Sequence, residues 1–204
     1  MIAIIDYGSG NIAAISSIYK SLGISHNVVS DTASLPFADK YILPGVGNFD
    51  FTMNAIRANG ILTTLNEQIL ILKKPILGIC VGMQLMADSS EEGKGIGLGW
   101  IKGKVSRIKS SQSGLRLPHM GWNSISIKDN SLLLLKNIDP IMGFYFLHSY
   151  RFVPQDLSSI MATTEYGDSL VCGISNHENI FGVQFHPEKS HNNGVQLFKN
   201  FSDI

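Results

Sequence analysis

The chain has only two cysteines in 204 residues, Cys80 and Cys172, with no metal-type spacing between them. That argues against a disulfide framework or a cysteine-held metal and favours a reduced, cytoplasmic protein. Charge is scarce as well: Asp, Glu, Lys and Arg make up 16% of the residues, the formal net charge is zero, and no basic block occurs. Nucleic-acid binding and polybasic membrane attachment therefore lose their usual electrostatic support. No apolar run approaches the roughly 20 residues needed to span a bilayer. The opening Met1–Asp6 has no basic flank and meets an acid at once, so it reads as a first strand, not a signal peptide. Internal repeats, low-complexity tracts and domain-splitting linkers are missing too. With 44% apolar residues, the expectation is one compact domain over 1–204.

What the chain does have is an apolar run, Pro75–Ile79, leading into Gly78-Ile79-Cys80-Val81-Gly82. This is the pattern of a sharp strand-to-helix turn that presents a nucleophile. The backbone is strained there, and glycine two positions to either side fits it. Such a turn lifts the sulfur to the end of the sheet and onto a helix N-terminus, where free N–H groups and the dipole favour an anion. Toward the other end, Phe181–Phe185 reads as a strand that runs into His186-Pro187-Glu188. Residues two apart on an extended chain share a side, and Pro187 biases His186 toward the extended region. His186 as base and Glu188 as its orienter then complete, with Cys80, the logic of a catalytic triad. A buried structural cysteine and a surface His-Pro-Glu turn are the bland alternatives.

Pro44-Gly45-Val46-Gly47 follows another strand, and the N–H groups of Gly47 and Val81 are candidate oxyanion donors. Glycine there also permits a peptide flip that forms or dismantles such a hole. Gln84, one helical turn beyond Cys80, is a candidate for a substrate amide or carboxylate, and Glu92 for a substrate ammonium group. His119 and His148 read as satisfied structural histidines, and Cys172 as a core residue. His26, His177 and His191 read as surface positions.

The first half alternates strand and helix. Ile2–Ile5 is strand-like, and Asn11 opens a helix with Ile12, Ile15, Ile18, Tyr19 and Leu22 on one face, closed by Gly23. Strands follow around Asn27–Val29 and Lys40–Leu43, then helices over Phe49–Asn59 and Leu62–Leu72. This βαβ repetition predicts a doubly wound, mostly parallel α/β sheet with helices on both faces and ligands at the carboxyl ends of the strands. Beyond Gly93, short strand-like runs (Val105–Ile108, Ser124–Ile127, Phe144–Leu147, Met161–Thr164, Val171–Ile174) predict antiparallel hairpins added to one edge. A final helix starts near Ser190 with Leu197, Phe198 and Phe201 facing inward.

Gly78–Gln84 (GICVGMQ), Pro44–Gly47 (PGVG), Pro118–Asn123 (PHMGWN), His148–Tyr150 (HSY) and Gly182–Ser190 (GVQFHPEKS) together carry a resemblance. The chain resembles the triad-type (class I) glutamine amidotransferases, from Met1 to Phe201, and within them the glutaminase subunits of imidazole glycerol phosphate synthase. The resemblance implies a flavodoxin-like fold and hydrolysis of glutamine by Cys80, His186 and Glu188. It also implies that Gln84, Glu92, Ser149 and Tyr150 hold the amino-acid end of the substrate and that no metal or organic cofactor is needed. Asn11, Pro118, Met120, Trp122 and Lys189 match positions that face a (β/α)8-barrel cyclase in a heterodimer. A similar glutaminase that feeds amidination of a surface-polysaccharide sugar is the alternative. Val81 stands where the family more often has leucine, which keeps the backbone N–H.

Overall fold

The computed structural model describes residues 1–109, 115–129 and 131–204. In chain order the first half runs β1 (Ile2–Ile5), α1 (Ile12–Ser21), β2 (His26–Val29), β3 (Lys40–Gly45), α2 (Phe49–Ala58), α3 (Ile61–Asn66), β4 (Ile76–Cys80) and α4 (Val81–Gln84). The second half runs β5 (Ser89–Ser90), β6 (Gly103–Arg107), β7 (His119–Asn123), β8 (Ser126–Ile127), β9 (Phe144–His148), β10 (Tyr150–Pro154), β11 (Ile160–Tyr166), β12 (Asp168–Ser175), β13 (Ile180–Val183) and α5 (His191–Asp203).

The central sheet has eight strands in the order β2-β1-β3-β4-β13-β12-β11-β8. From β2 to β13 neighbouring strands are parallel, and β12, β11 and β8 extend the edge antiparallel. Strands β1, β4 and β13 are buried at every position, as expected of strands covered on both faces. The chain leaves β1 in one direction to reach β2 and leaves β3 in the other to reach β4. Right-handed crossovers then put α1 and the α2–α3 pair on opposite faces. α1 shares its face with α5: the rings of Tyr19 and Phe198 meet edge-on at 5.3 Å. α5 fully buries Leu197, Phe198 and Phe201, each worth roughly 1.5–3 kcal/mol of transfer free energy. On the other face, α2 buries Phe49, Met53 and Ile56.

The antiparallel additions differ in part from the sequence expectation. Only β8, β11 and β12 lengthen the sheet edge, whereas β10-β6-β5 and β7-β9 form two separate small sheets. β5, β7 and β10 are strands beyond those expected, and of the Ser124–Ile127 run only Ser126–Ile127 pairs. The helix expected over Leu62–Leu72 is α-helical from Ile61 to Asn66 and then widens into a π-turn, Glu67–Ile71.

Candidate active site

Two neighbouring parallel strands bring together residues more than a hundred positions apart. β4 pairs with β13 in the register Ile79↔Val183, so Cys80 and the segment leading to His186 leave the sheet side by side at its carboxyl end. Cys80 has φ 54° and ψ −109°, a conformation that costs a non-glycine residue roughly 1–3 kcal/mol. The flanking glycines are needed for contact. A Cβ on Gly82 would lie 1.9 Å from the Leu43 carbonyl oxygen, and one on Gly78 would lie 2.7 Å from the Gly82 carbonyl oxygen. The expected helix behind the sulfur is a single turn, Val81–Gln84.

His186 and Glu188 are nearly sealed from solvent, with side chains 3% and 2% exposed. His186 Nδ1 is 2.8 Å from Glu188 Oε1, which also accepts from Asn11 Nδ2 at 2.6 Å. Cys80 and His186 line the same cleft, and the thiol acts electrostatically on the imidazole. Burial alone would pull the imidazole pKa down, but hydrogen bonds and charge interactions with Cys80 and Glu188 prevail, and it is pushed up to about 10. Burial works against the Glu188 carboxylate too. The His186 hydrogen bond and charge outweigh it, with help from Asn11, and hold the group below the usual range. The Cys80 sulfur also receives Gln184 Nε2 at 3.7 Å and lies 3.9 Å from the Leu147 carbonyl.

The cleft above the sulfur has a volume of about 140 Å³ and is lined by Val46, Gly47, Cys80, Val81, Gln84, Glu92, Leu147, His148, Ser149, Tyr150 and His186. Clefts for drug-sized ligands start near roughly 300 Å³, so this one suits a small metabolite rather than a peptide. Of the residues named from sequence, Cys80, His186, Gly47, Val81, Gln84, Glu92, Ser149 and Tyr150 all meet here, and Glu188 stands behind His186. The Gln84 amide is already engaged, donating to Gln184 Oε1 at 2.9 Å and to the Tyr150 carbonyl at 3.2 Å. Glu92 Oε2 accepts the Phe49 N–H at the start of α2, at 2.8 Å. Burial raises the Glu92 pKa, and that hydrogen bond opposes the rise.

The loop after β3 is held by the loop after β1. Ser9 Oγ donates to the Val46 carbonyl at 2.6 Å and accepts the Val46 N–H at 3.1 Å. The Tyr7 hydroxyl donates to the Pro44 carbonyl. Gly47 has φ +111° with open space around its missing Cβ. Tyr7, Ser9 and Gln184 carry no signal in the sequence, because each acts through contacts that only the fold creates.

The residues expected to face a partner divide. Pro118, Met120, Trp122 and Lys189 are exposed, with Met120 at 65% and Trp122 at 47%. Trp122 stacks on His191, and Lys189 lies over the Tyr145 ring at 5.5 Å. Asn11 is half-buried and donates to the Glu188 carboxylate, next to the site. Cys172 is fully buried, and burial pushes its thiol pKa far up. Among the described residues no cluster of His, Cys, Asp or Glu is arranged to hold a metal, and no helix is long and apolar enough to cross a membrane.

Residues 3–203 match the family described as Glutamine amidotransferase class-I. The imidazole glycerol phosphate synthase subunit HisH of Leptospira borgpetersenii is 46% identical over 207 residues, covering 100% of both chains. The protein of the same name from Pelagibacter ubique is 44% identical, covering 100% of this chain and 99% of its own. Among solved structures, a chain of PurLQS from Thermotoga maritima superposes with a TM-score of 0.75 at 18% identity. That match covers 99% of this chain and 97% of the other, and it supports the fold. The chain therefore belongs to the class-I glutamine amidotransferase family, in the branch of the imidazole glycerol phosphate synthase subunit HisH.

Proposed function

We propose that Cys80, His186 and Glu188 hydrolyse glutamine to glutamate and ammonia, and that the ammonia passes to a (β/α)8-barrel cyclase subunit in the cytoplasm. The chain is a glutaminase subunit of imidazole glycerol phosphate synthase, serving histidine biosynthesis. The observation that carries the residue assignment is the meeting of a strained cysteine after β4 with a carboxylate-backed histidine after β13, in a cleft of metabolite size.

In this reading the proton shared by Cys80 and His186 already rests on the imidazole, whose pKa is pushed up to about 10, and the Cys80 sulfur attacks the side-chain amide carbon of glutamine. The tetrahedral intermediate collapses as His186 returns that proton to the leaving nitrogen, releasing ammonia and a glutamyl thioester. Water, deprotonated by His186, then attacks the thioester and frees glutamate and the thiol. Glu188 orients the imidazole and stabilises its charged form. The N–H groups of Gly47 and Val81 are the proposed donors to the developing oxyanion, and removal of one such donor typically costs roughly 10²–10³ in rate. Gln84, Glu92, Ser149 and Tyr150 hold the α-amino and α-carboxyl end. No cofactor enters any step.

The Ser9 contacts support a resting state in which the Val46–Gly47 peptide is tied down and a flip is needed to complete the oxyanion hole. Asn11, Pro118, Met120, Trp122 and Lys189 form the proposed partner face. An exposed Met and Trp beside a proline suit an interface in which aromatic and Met residues are enriched. Pairing also makes chemical sense, because ammonia released into water is protonated and lost as a nucleophile. The decisive experiment is labelling with a glutamine-analogue electrophile, with the cyclase partner present. Covalent modification of Cys80, with glutaminase activity low for the isolated chain and raised by the partner, is the expected result. An unmodified Cys80 in the complex would refute the assignment.

A further inference from the structure

Two histidines outside the proposed triad form a hydrogen-bonded chain whose direction is fixed by chemistry. His148 Nδ1 lies 2.7 Å from the Tyr150 carbonyl, which can only accept, so Nδ1 carries the proton. His119 Nδ1 lies 3.0 Å from His148 Nε2. Asn123 Nδ2 donates to the Glu165 carbonyl at 2.9 Å, which identifies it as the amide nitrogen, and it also lies 3.2 Å from His119 Nε2. With a donor at one end and an acceptor at the other, all the bonds form together only if both rings are neutral and protonated on Nδ1. Their surroundings agree. His119 is stacked between Phe146 at 4.5 Å and Tyr166 at 4.1 Å, and burial pulls its pKa down to about 4 and that of His148 to about 3.

The two ends of the chain lie in different places. Asn123 closes β7, whose outward face carries Met120 and Trp122. The Tyr150 carbonyl also receives Gln84 Nε2 at 3.2 Å, and Leu147, His148, Ser149 and Tyr150 form one wall of the cleft over Cys80. In the β7–β9 register His119 is opposite His148, and Met120 is opposite Leu147. Side chains of this ribbon therefore alternate between the buried relay and the outward face. A neutral relay also keeps a second cation away from His186, whose charge acts on His148.

We propose that His119 and His148 are positioning residues for glutamine, holding the Leu147–Tyr150 wall and coupling its position to the exposed face of β7. The substrate's identity rests on the glutaminase reading; the relay itself does not. The test uses the full chain saturated with its cyclase partner, and the variant Asn123→Ala, whose side chain lies outside the cleft. Ring-nitrogen NMR of the wild type near neutral pH is expected to show both histidines neutral with the proton on Nδ1, although Nε2 is the commoner site in free imidazole side chains. Asn123→Ala is expected to shift the His148 ring resonances and raise KM for glutamine about five-fold, the effect of one ordinary hydrogen bond. Its kcat should stay within about two-fold, since the reacting groups are untouched. A proton on Nε2 of either ring, an imidazolium, or a wild-type KM in Asn123→Ala would each overturn the proposal. Because the NMR arm needs no substrate, a chain that fails to hydrolyse glutamine would count against the glutaminase reading separately.

Discussion

Replacing Glu188 with Gln separates the charge of the third group from its geometry. Glu188 Oε1 accepts both the His186 and the Asn11 hydrogen bonds, while Oε2 is buried with no hydrogen-bond partner among the described residues. A glutamine can keep its oxygen where Oε1 stands and accept both bonds, with its NH₂ taking the empty position. An unpaired buried NH₂ costs about 1–3 kcal/mol, and the buried His186 charge loses its partner, so stability at neutral pH should fall by about 3–5 kcal/mol. Function should respond as well. In the proposed mechanism the imidazolium loses its partner at 2.8 Å, and comparable substitutions in hydrolase triads lower kcat by up to roughly 10⁴. A fall of about 10²–10⁴ is expected here, equivalent to about 3–5 kcal/mol. The pH profile of stability adds an independent check. The His186 pKa is raised in the fold to about 10, so its contribution is fully present below its unfolded value and is lost as pH rises toward 10. Glu188→Gln should flatten that loss. Glutaminase assays of the complex, with urea melts from neutral to alkaline pH, measure both effects. A kcat within about three-fold of wild type, with the fold intact, would refute the role assigned to the carboxylate.

Other perturbations test other parts of the argument. Gly82→Ala should destabilise the chain by several kcal/mol or displace Cys80, because the 1.9 Å approach is to a backbone carbonyl that cannot swing aside; a wild-type melting curve with full activity would contradict this. Ser9→Ala should free the Val46–Gly47 peptide and raise glutaminase activity of the isolated chain toward that of the complex, as read by glutamate release. Trp122→Ala, at a residue 47% exposed, should leave thermal stability nearly unchanged yet weaken titrated partner binding by about ten-fold or more, as a central aromatic anchor would. His148 is held neutral down to about pH 3, so below its unfolded pKa the unfolded chain binds a proton that the folded chain refuses. His148 alone should therefore subtract about 2 kcal/mol of stability between neutral pH and pH 5, and His148→Gln should remove that share of the acid slope in urea melts.

Legibility in the sequence follows the range of the interaction. The Cys80 turn is readable because its requirement is local: the clashes at Gly78 and Gly82 involve backbone within a few residues or on the adjacent strand. The parallel core is readable because β1, β4 and β13 are unbroken apolar runs. The clasp of Ser9 on Val46 and the contact of Asn11 with Glu188 are not, since they join segments 37 and 177 positions apart through the packing of loops. His119 and His148 read only as structural histidines, and their pairing is hidden because a lone histidine has no periodic signature. One signal does exist: His119, Gly121 and Asn123 alternate with Met120 and Trp122. That period of two marks β7 as a strand with polar groups on one side and an apolar face on the other.

The shortness of α4 bears on how the site is controlled. A single helical turn has little of the summed dipole that a long helix would aim at the sulfur. In the proposed mechanism the full positive charge beside the sulfur then comes from His186, which stands on a different segment from Cys80, and the Gly47 and Val81 N–H groups serve the oxyanion. That segment is fixed to the β7–β9 ribbon: the His186 N–H donates to the Tyr145 carbonyl at 2.9 Å, and the Tyr145 N–H donates to Ser190 Oγ at 3.0 Å. Tyr145 in turn faces Trp122 across the ribbon and lies beneath Lys189. A partner docked on the proposed face at Trp122 and Lys189 would therefore press on the strand whose Tyr145 carbonyl holds the His186 N–H.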